Sequence, residues 1–225
     1  PKMSTRNTRP WWLRLALAAA LGLGLAAGAA AAQQRVQIGQ VTSTTLTFAP
    51  IIFAQNLGFF RDEGLEIEIV EFNGTATLLP QIVNRRILVG YPNPDALIVS
   101  AQPGRDALPL RFFYNATRAS AWEVVVPQNS RITSLEQLRG QRVGVGALTW
   151  GNIPITRAMF REIGLGVGRD VELIPVGTGA PAFRALTTGQ VAALNLFDVQ
   201  HATLETSGTA IRRLPVADRF NQLFS

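Results

Sequence analysis

The sequence predicts an α/β protein built as two similar lobes. Three observations carry that prediction. Strand-like and helix-like segments alternate along nearly the whole chain from residue 36 onward, the pattern of parallel, or largely parallel, sheets covered by helices on both faces. Phe60-Arg61-Asp62-Glu63-Gly64-Leu65 is answered by Phe160-Arg161-Glu162-Ile163-Gly164-Leu165. Each copy leads into a strand and then a loop of small residues, Asn73-Gly74-Thr75-Ala76 in one and Gly177-Thr178-Gly179-Ala180 in the other, so the echo keeps its structural order.

Hydrophobic period assigns the elements. In the first half, residues 36–41 (VQIGQV) form a strand and TSTTLT a loop. FAPIIFAQNLGFF, 48–60, forms a helix with Gly58 as a left-handed terminator. A strand over 66–72 alternates Glu66, Glu68 and Glu71 with Ile67, Ile69 and Phe72. A helix follows over 75–86, then a strand over 87–91, a short helix from Pro94 or Asp95, and a strand at LPLRFFYNA, 108–116. In the second half the strands are 122–127, 142–147, 171–177 and 191–197. The helices there are a short one at 134–140 with Ser134 as N-cap, then 151–164, 180–189 and 199–208.

The chain has 225 residues, 47% of them hydrophobic, enough for one sizeable domain or two small lobes. Its formal charge of +6 comes mostly from the N-terminus, where residues 1–32 hold Lys2, Arg6, Arg9 and Arg14 and no acid. Removing those four leaves 17 basic against 15 acidic residues, a net charge of +2 with scattered arginines, which argues against nucleic-acid binding. A basic stretch, an apolar run LALAAALGLGLAAGAAAA and small residues at Ala30 and Ala32 before Gln33 read as a cleavable export signal. The competing reading is a retained anchor, which the Gly and Ala content disfavours. The chain contains no Cys, so its exported part is held by its core, and a soluble periplasmic protein fits best.

Catalytic signatures are weak. His201 is the sole histidine, three residues after Asp198, and reads as a helix-surface or cleft-rim residue rather than a general base. Neither G-x-S-x-G nor H-E-x-x-H occurs, and one His with dispersed carboxylates supplies no metal-ligand spacing. No Lys follows Lys2, which excludes a Schiff-base or P-loop lysine from the exported chain. GVGALT and GTGAPA begin like dinucleotide fingerprints but do not complete them. The expectation is a non-enzyme without metal or cofactor.

Binding signals are stronger. In open α/β sheets ligands sit beyond the carboxyl ends of the strands, where loops enter helix N-termini with free N–H groups. The loop at 73–76 needs no nucleophile if it holds a ligand. Phe48, Tyr91, Tyr114, Trp122 and Trp150 fall at strand ends or linkers, where an aromatic ring stacks on a ligand or packs in the core. For Trp122 the two roles balance, and for Trp150 its strand-end position favours ligand contact. Asp95, in Tyr91-Pro92-Asn93-Pro94-Asp95, either caps the next helix or faces a ligand amine or hydroxyl, and Asp198 has the same two roles open. The two acids favour a small organic solute with an aromatic or amino group over a bare anion.

The series IGQVTSTTLTFAPIIFAQNLGFFRDEGLEIEIVEF, ILVGYPNPDALI, SRITSLEQLRGQRVGVGALTWGNIPITRAMFREIGL and DVELIPVG…FRALTTGQVAALN resembles the substrate-binding proteins of ABC importers. The branch is the one serving nitrate, sulfonates, taurine and thiamine-pyrimidine precursors. Its phrase A-x-x-x-GFF-x-x-EGL-x-x-E starts at Ala54, and the wider pattern Ser134-Leu135-x-x-Leu138-x-Gly140-x-x-Val143-Gly144-Val145 is shared among two-lobed binding proteins. The resemblance implies a two-lobed periplasmic-binding-protein type II fold that closes on a solute and docks, as a monomer, on a membrane permease. It divides the chain into a signal peptide at 1–32, lobe one at 33–117, lobe two at 118–212, and the start of a return to lobe one at 213–225. Relatives run on beyond this point, so the chain is C-terminally short for the fold, with apolar surface of lobe one exposed if the end is native.

The implied ligand residues are Ser43, Thr44, Thr45 and Leu46 from the first loop, Asn73, Gly74 and Thr75, then Tyr91, Asn93 and Asp95. Lobe two contributes Thr149, Trp150, Asn152, Gly177 and Thr178, with Trp122 and Asp198 beside them and Asn115 in a linker that runs to Arg118. Three alternatives stay open: a thiamine-pyrimidine enzyme on the same fold, which would need the reactive Cys this chain lacks; the sensing domain of a transcription regulator; and a truncated, non-functional family member.

Overall fold

A computed structural model describes residues 33–43, 46–116 and 120–222. Residues 1–32, where the export signal is expected, and Thr44, Thr45 and Arg118 lie outside the described residues. The first part of the chain contains β1 (Gln34–Gln40), α1 (Ala49–Asn56), α2 (Phe59–Asp62), β2 (Leu65–Glu71), α3 (Thr75–Val83), β3 (Val89–Tyr91) and α4 (Asp95–Ser100). The second contains β4 (Trp122–Pro127), β5 (Arg142–Val145), α5 (Ile153–Glu162), β6 (Glu172–Pro175), α6 (Ala180–Thr187), β7 (Ala193–Phe197), α7 (Asp198–Thr206), β8 (Ile211–Arg213) and α8 (Asp218–Gln222).

The strands form two sheets, β2-β1-β3 and β6-β5-β7-β4-β8. The first is wholly parallel, with Gln34 opposite Leu65 and Gly39 opposite Gly90. In the second, β5 runs parallel to β6 and β7, while β4 runs against both β7 and β8. The order β2-β1-β3 therefore recurs as β6-β5-β7. The motif echo at Phe60 and Phe160 immediately precedes the outer strand of each triplet, so it marks a repeated α/β unit. The antiparallel strand β4 enters its sheet from the preceding crossover rather than from a helix of the same unit.

Packing differs sharply between the two sheets. The larger sheet encloses a continuous core in which Val125, Val143, Phe160, Leu194 and Leu196 are fully buried. Around the smaller sheet the buried cluster is Val41, Leu78 and Ile87, with Val70, Phe72 and Ile82 against it. There α3 lies directly on the strands: a Cβ at Gly39 would come within 2.3 Å of Leu78 Cδ1, and one at Gly90 within 2.5 Å of Ile82 Cδ1. Two glycines in register thus make the groove that seats the helix. Beside this unit opens a cavity of about 840 Å3, lined among others by Ile38, Ile51, Leu79, Ile82, Leu88 and Phe113. Phe53 and Phe113 are 62% and 81% exposed, so apolar surface lies open on the first unit.

Several expected elements differ. The helix over 48–60 is broken at Gly58 (φ 86°) into α1 and α2, because the left-handed residue stops the first helix and starts the second. The helix over 75–86 ends at Val83, ahead of Arg85 with φ 57°, and the next strand starts only at Val89. The strand expected at 108–116 does not form: its alternating apolar residues run along the cavity, and no ladder pairs it with a described strand. Residues 136–138 make one 3-10 turn, and its cap is not Ser134. Gln137 Oε1 instead accepts the Thr133 and Ser134 backbone N–H groups at 2.6 and 3.3 Å.

This packing predicts unequal tolerance to substitution. Leu194→Ala should cost about 3–4 kcal/mol by leaving a hole between sheet and helices. Gly39→Val should displace α3 and reduce the stability of the smaller unit by at least about 2 kcal/mol through overpacking. Urea unfolding of each variant, compared at constant slope, measures both.

Candidate functional site

The carboxyl ends of β2, β3 and β5 bring three loops together. Gly74, with φ 98° and ψ 166°, turns the chain from β2 into α3. Its N–H donates to Val41 O at 2.8 Å, which ties this loop to the end of β1. The first turn of α3 then meets the opposite unit. Ala76 N–H donates to Thr149 O at 3.1 Å, and Thr149 Oγ1 donates to Asn73 O at 2.7 Å. A Cβ on Gly74 would lie 2.5 Å from Thr149 O, and one on Gly151 would lie 2.5 Å from both Asn93 Cβ and Thr75 Oγ1. Only residues without side chains allow that approach. Asn93 N–H donates to Thr75 Oγ1 at 3.3 Å, adding the loop after β3 to the cluster.

Two buried polar side chains flank this contact. Asn152 is fully buried at the N-terminus of α5, and neither its Oδ1 nor its Nδ2 has a partner. Its backbone is well held: the carbonyl accepts from Thr156 N–H at 2.9 Å and Thr156 Oγ1 at 2.8 Å, and Thr156 Oγ1 accepts from Asn195 Nδ2 at 2.8 Å. Asp95, 8% exposed at the start of α4, has a buried Oδ2 without a partner. Burial raises its carboxyl to about 6 against the pull of its own backbone N–H and the Asn93 side chain. Helix α4 packs against α5, so the two groups belong to facing units.

The remaining candidate residues scatter around this centre. Thr75 is buried in the loop contact. Trp122, Trp150 and Phe197 form a three-ring cluster with centroids 4.2–5.7 Å apart, and Trp150 is 6% exposed over Gly146. Packing is the role the structure records for both tryptophans. Tyr91 stands edge-on to Phe48 at 5.4 Å and lines the large cavity with Tyr114; burial, then Tyr114, raises its phenol. Ser43, Leu46 and Asn115 are exposed. Gly177 N–H donates to Gly146 O at 3.1 Å, and Thr178 is half-buried beside it. Asp198 is exposed and accepts the Val199 N–H at 2.7 Å, the helix-start role.

His201 corrects the surface expectation. It is fully buried, and its Nδ1 lies 3.0 Å from Glu123 Oε2 on the neighbouring strand. The amphipathic period of α7 turns it inward beside Leu204. Glu123 also accepts from Arg213 Nε at 2.8 Å, and Arg213 reaches Glu205 at 3.0–3.1 Å. The network ties β4, α7 and β8 together. Burial pushes the Glu123 carboxyl up, but hydrogen bonds from His201 and Arg213 and the charge of Arg213 outweigh it and hold the group below its ordinary value.

The sequence reading missed several residues. Gln200 Oε1 accepts the Gly179 N–H at 2.8 Å, and Thr156 and Asn195 hold Asn152 from below. A polar Asn inside the apolar strand ALNLF was the signal available for the last of these.

Two parallel-cored α/β units meeting at their strand ends define a protein of the type II periplasmic-binding fold. The chain belongs to the NMT1/THI5-like family, whose model matches residues 45–223. A solved protein of Bordetella bronchiseptica RB50 is 28% identical with a TM-score of 0.67, covering 82% of this chain and 57% of its own. The alkanesulfonate-binding protein SsuA of Xanthomonas axonopodis pv. citri, solved bound to MOPS, shares the fold at 23% identity and a TM-score of 0.60, over 84% of this chain and 63% of its own. YtlA of Bacillus subtilis (strain 168), a candidate binding protein by its name, is 24% identical over 77% of this chain and 52% of its own. The chain thus spans about half the length of that relative.

Two pH responses follow from the carboxylates. Asp95 titrates higher folded than unfolded, so its burial costs stability as pH rises from about 3.8 towards 6 and above. Asp95→Asn should raise the stability of the unliganded protein at pH 7 by about 3 kcal/mol, and most of the gain should be gone near pH 4. Glu123 is the reverse case: its contribution is present above its ordinary value of 4.5 and is lost as pH falls through the lower folded value. Glu123→Gln should flatten the acid limb of a plot of Tm against pH below about 4.5.

Proposed function

We propose that this protein is the solute-binding component of an ABC importer. It captures a small solute between two lobes and delivers it to a membrane permease. The observation that carries this reading is the loop contact at the strand ends, where Thr149 O accepts from Ala76 N–H beside the unpartnered buried atoms of Asp95 and Asn152. Such atoms are costly to leave unmet in a closed cleft and call for a polar solute to meet them. Family membership and the shared fold with SsuA support the same reading.

In this proposal lobe one covers 33–117, lobe two 118–212, and 213–225 begins the return. The chain acts outside the cytoplasm after export through residues 1–32, as a monomer, without nucleic acid or cofactor. Asn73, Gly74, Thr75, Asn93, Asp95, Thr149 and Asn152 frame the solute, with Gly177 and Thr178 on the rim. The solute reaches the site when the lobes part, and its contacts to both favour the closed state. The enzyme alternative gains nothing from His201, which is buried in an ion-pair network.

Thermal melts of the purified chain against taurine, alkanesulfonates, nitrate, aromatic carboxylates, amino-bearing solutes and pyrimidines test the proposal. A true solute at about 100 times its Kd should add about 2.7 kcal/mol. That corresponds to a Tm rise on the order of 5–10 °C for a chain of this size. A cooperative melt that no small solute moves would count against the binding role.

A further inference from the structure

We propose that the solute carries an ammonium group received by Asp95, and that Asn152 reads a polar neighbour of that group on the same molecule. This rests on the solute-binding reading above and specifies the chemistry of the solute. It departs from the simplest expectation for helix N-termini at a cleft, which is a bare anion.

Several of the donors an anion would use are already engaged. Ala76 N–H, in the first turn of α3, is taken by Thr149 O, and Gly179 N–H, ahead of α6, is taken by Gln200 Oε1. At α5, Ile153 N–H donates to Trp150 O, and Pro154 has no N–H to offer. The unmet groups are of the opposite character. Asp95 Oδ2 is a buried acceptor on a carboxylate, and Asn152 presents one buried acceptor and one buried donor. Both side chains are more than nine-tenths buried. Among the described residues, no basic side chain contributes to the field at Asp95, whose raised pKa comes first from burial.

The two groups flank one seam. Gly151, just before Asn152, lies against Asn93, two residues before Asp95. An ammonium has three donors and no acceptor, the complement of Asp95 Oδ2 and Asn152 Oδ1. Asn152 Nδ2 then requires an acceptor oxygen on the solute close to the nitrogen. A carboxylate with no cation of its own also repels a bare anion in a site that excludes water. Asp95 is therefore the residue that sets selectivity between solutes with and without the ammonium group.

The test uses matched pairs that differ by the amino group: 2-aminoethanesulfonate against ethanesulfonate, glycine against acetate, and 3-aminopropan-1-ol against propane-1,3-diol. Isothermal titration of the full chain should show at least one amino member binding tenfold or more tighter than its partner. Asp95→Asn should weaken that member tenfold or more and abolish its advantage over the partner, whose own binding should hold or, for the two anions, tighten. Asp95→Ser, checked for a cooperative melt, serves as the second variant and should do the same. If pair members bind alike, or if both variants keep the amino preference, the assignment to Asp95 is overturned while solute binding stands. If no amino member binds, the assignment is also overturned. The solute-binding reading falls with it only if every solute of the broader panel fails too.

Discussion

The geometry of the cleft depends on one backbone contact, the Thr149 carbonyl set against the first turn of α3. A helix start leaves N–H groups without intrahelical partners. Here one of them is satisfied by a carbonyl from the opposite unit, 3.1 Å away. The contact aligns the positive end of the α3 dipole with a peptide oxygen. Thr149 Oγ1 completes it by donating back to Asn73 O, so two loops more than seventy residues apart exchange hydrogen bonds in both directions. Gly74 and Gly151 make the approach possible, since a methyl group at either would overlap the facing loop. An arrangement made of backbone and hydroxyl hydrogen bonds, with little apolar area, is suited to opening and reclosing.

The repeated unit has been furnished differently in its two copies. Both place the second strand outermost, the first in the centre and the third beyond it. The β5 copy gains β4 and β8 and a core that runs through the whole sheet. Among the described residues the β1 copy has three strands, and its cavity is lined with aliphatic and aromatic side chains. Stability is accordingly concentrated in the larger sheet, where burial of apolar surface is continuous.

Electrostatics divides along the same line. In the larger unit the buried His201 is met by Glu123, which Arg213 and Glu205 extend towards the surface. That network is structural: its charges find partners within the chain. At the seam between the units the logic reverses. Asp95 Oδ2 and the Asn152 amide are buried without partners, and the folded state carries that cost. The proposed solute would supply partners for these atoms.

Much of the architecture was legible in the chain itself. Alternating periods of two and 3.6 residues, the echo of Phe60–Leu65 in Phe160–Leu165 and the small-residue loops after the strands sufficed for an α/β repeat with loops at the strand ends, because these are local signals. Segment 108–116 misled for a physical reason: alternation makes a strand only where a neighbouring edge accepts its hydrogen bonds, and none of the described strands does. His201 misled likewise, since a helix position does not reveal which side chains close over it. The local signals brought Asn73–Thr75, Asn93, Asp95, Thr149 and Asn152 into view as separate loop residues. Tertiary structure alone decided that they meet, that Thr149 occupies the α3 terminus, and that Asp95 and Asn152 are left without partners. Partnership between residues far apart in sequence is a property of the packed chain, and no local pattern encodes it.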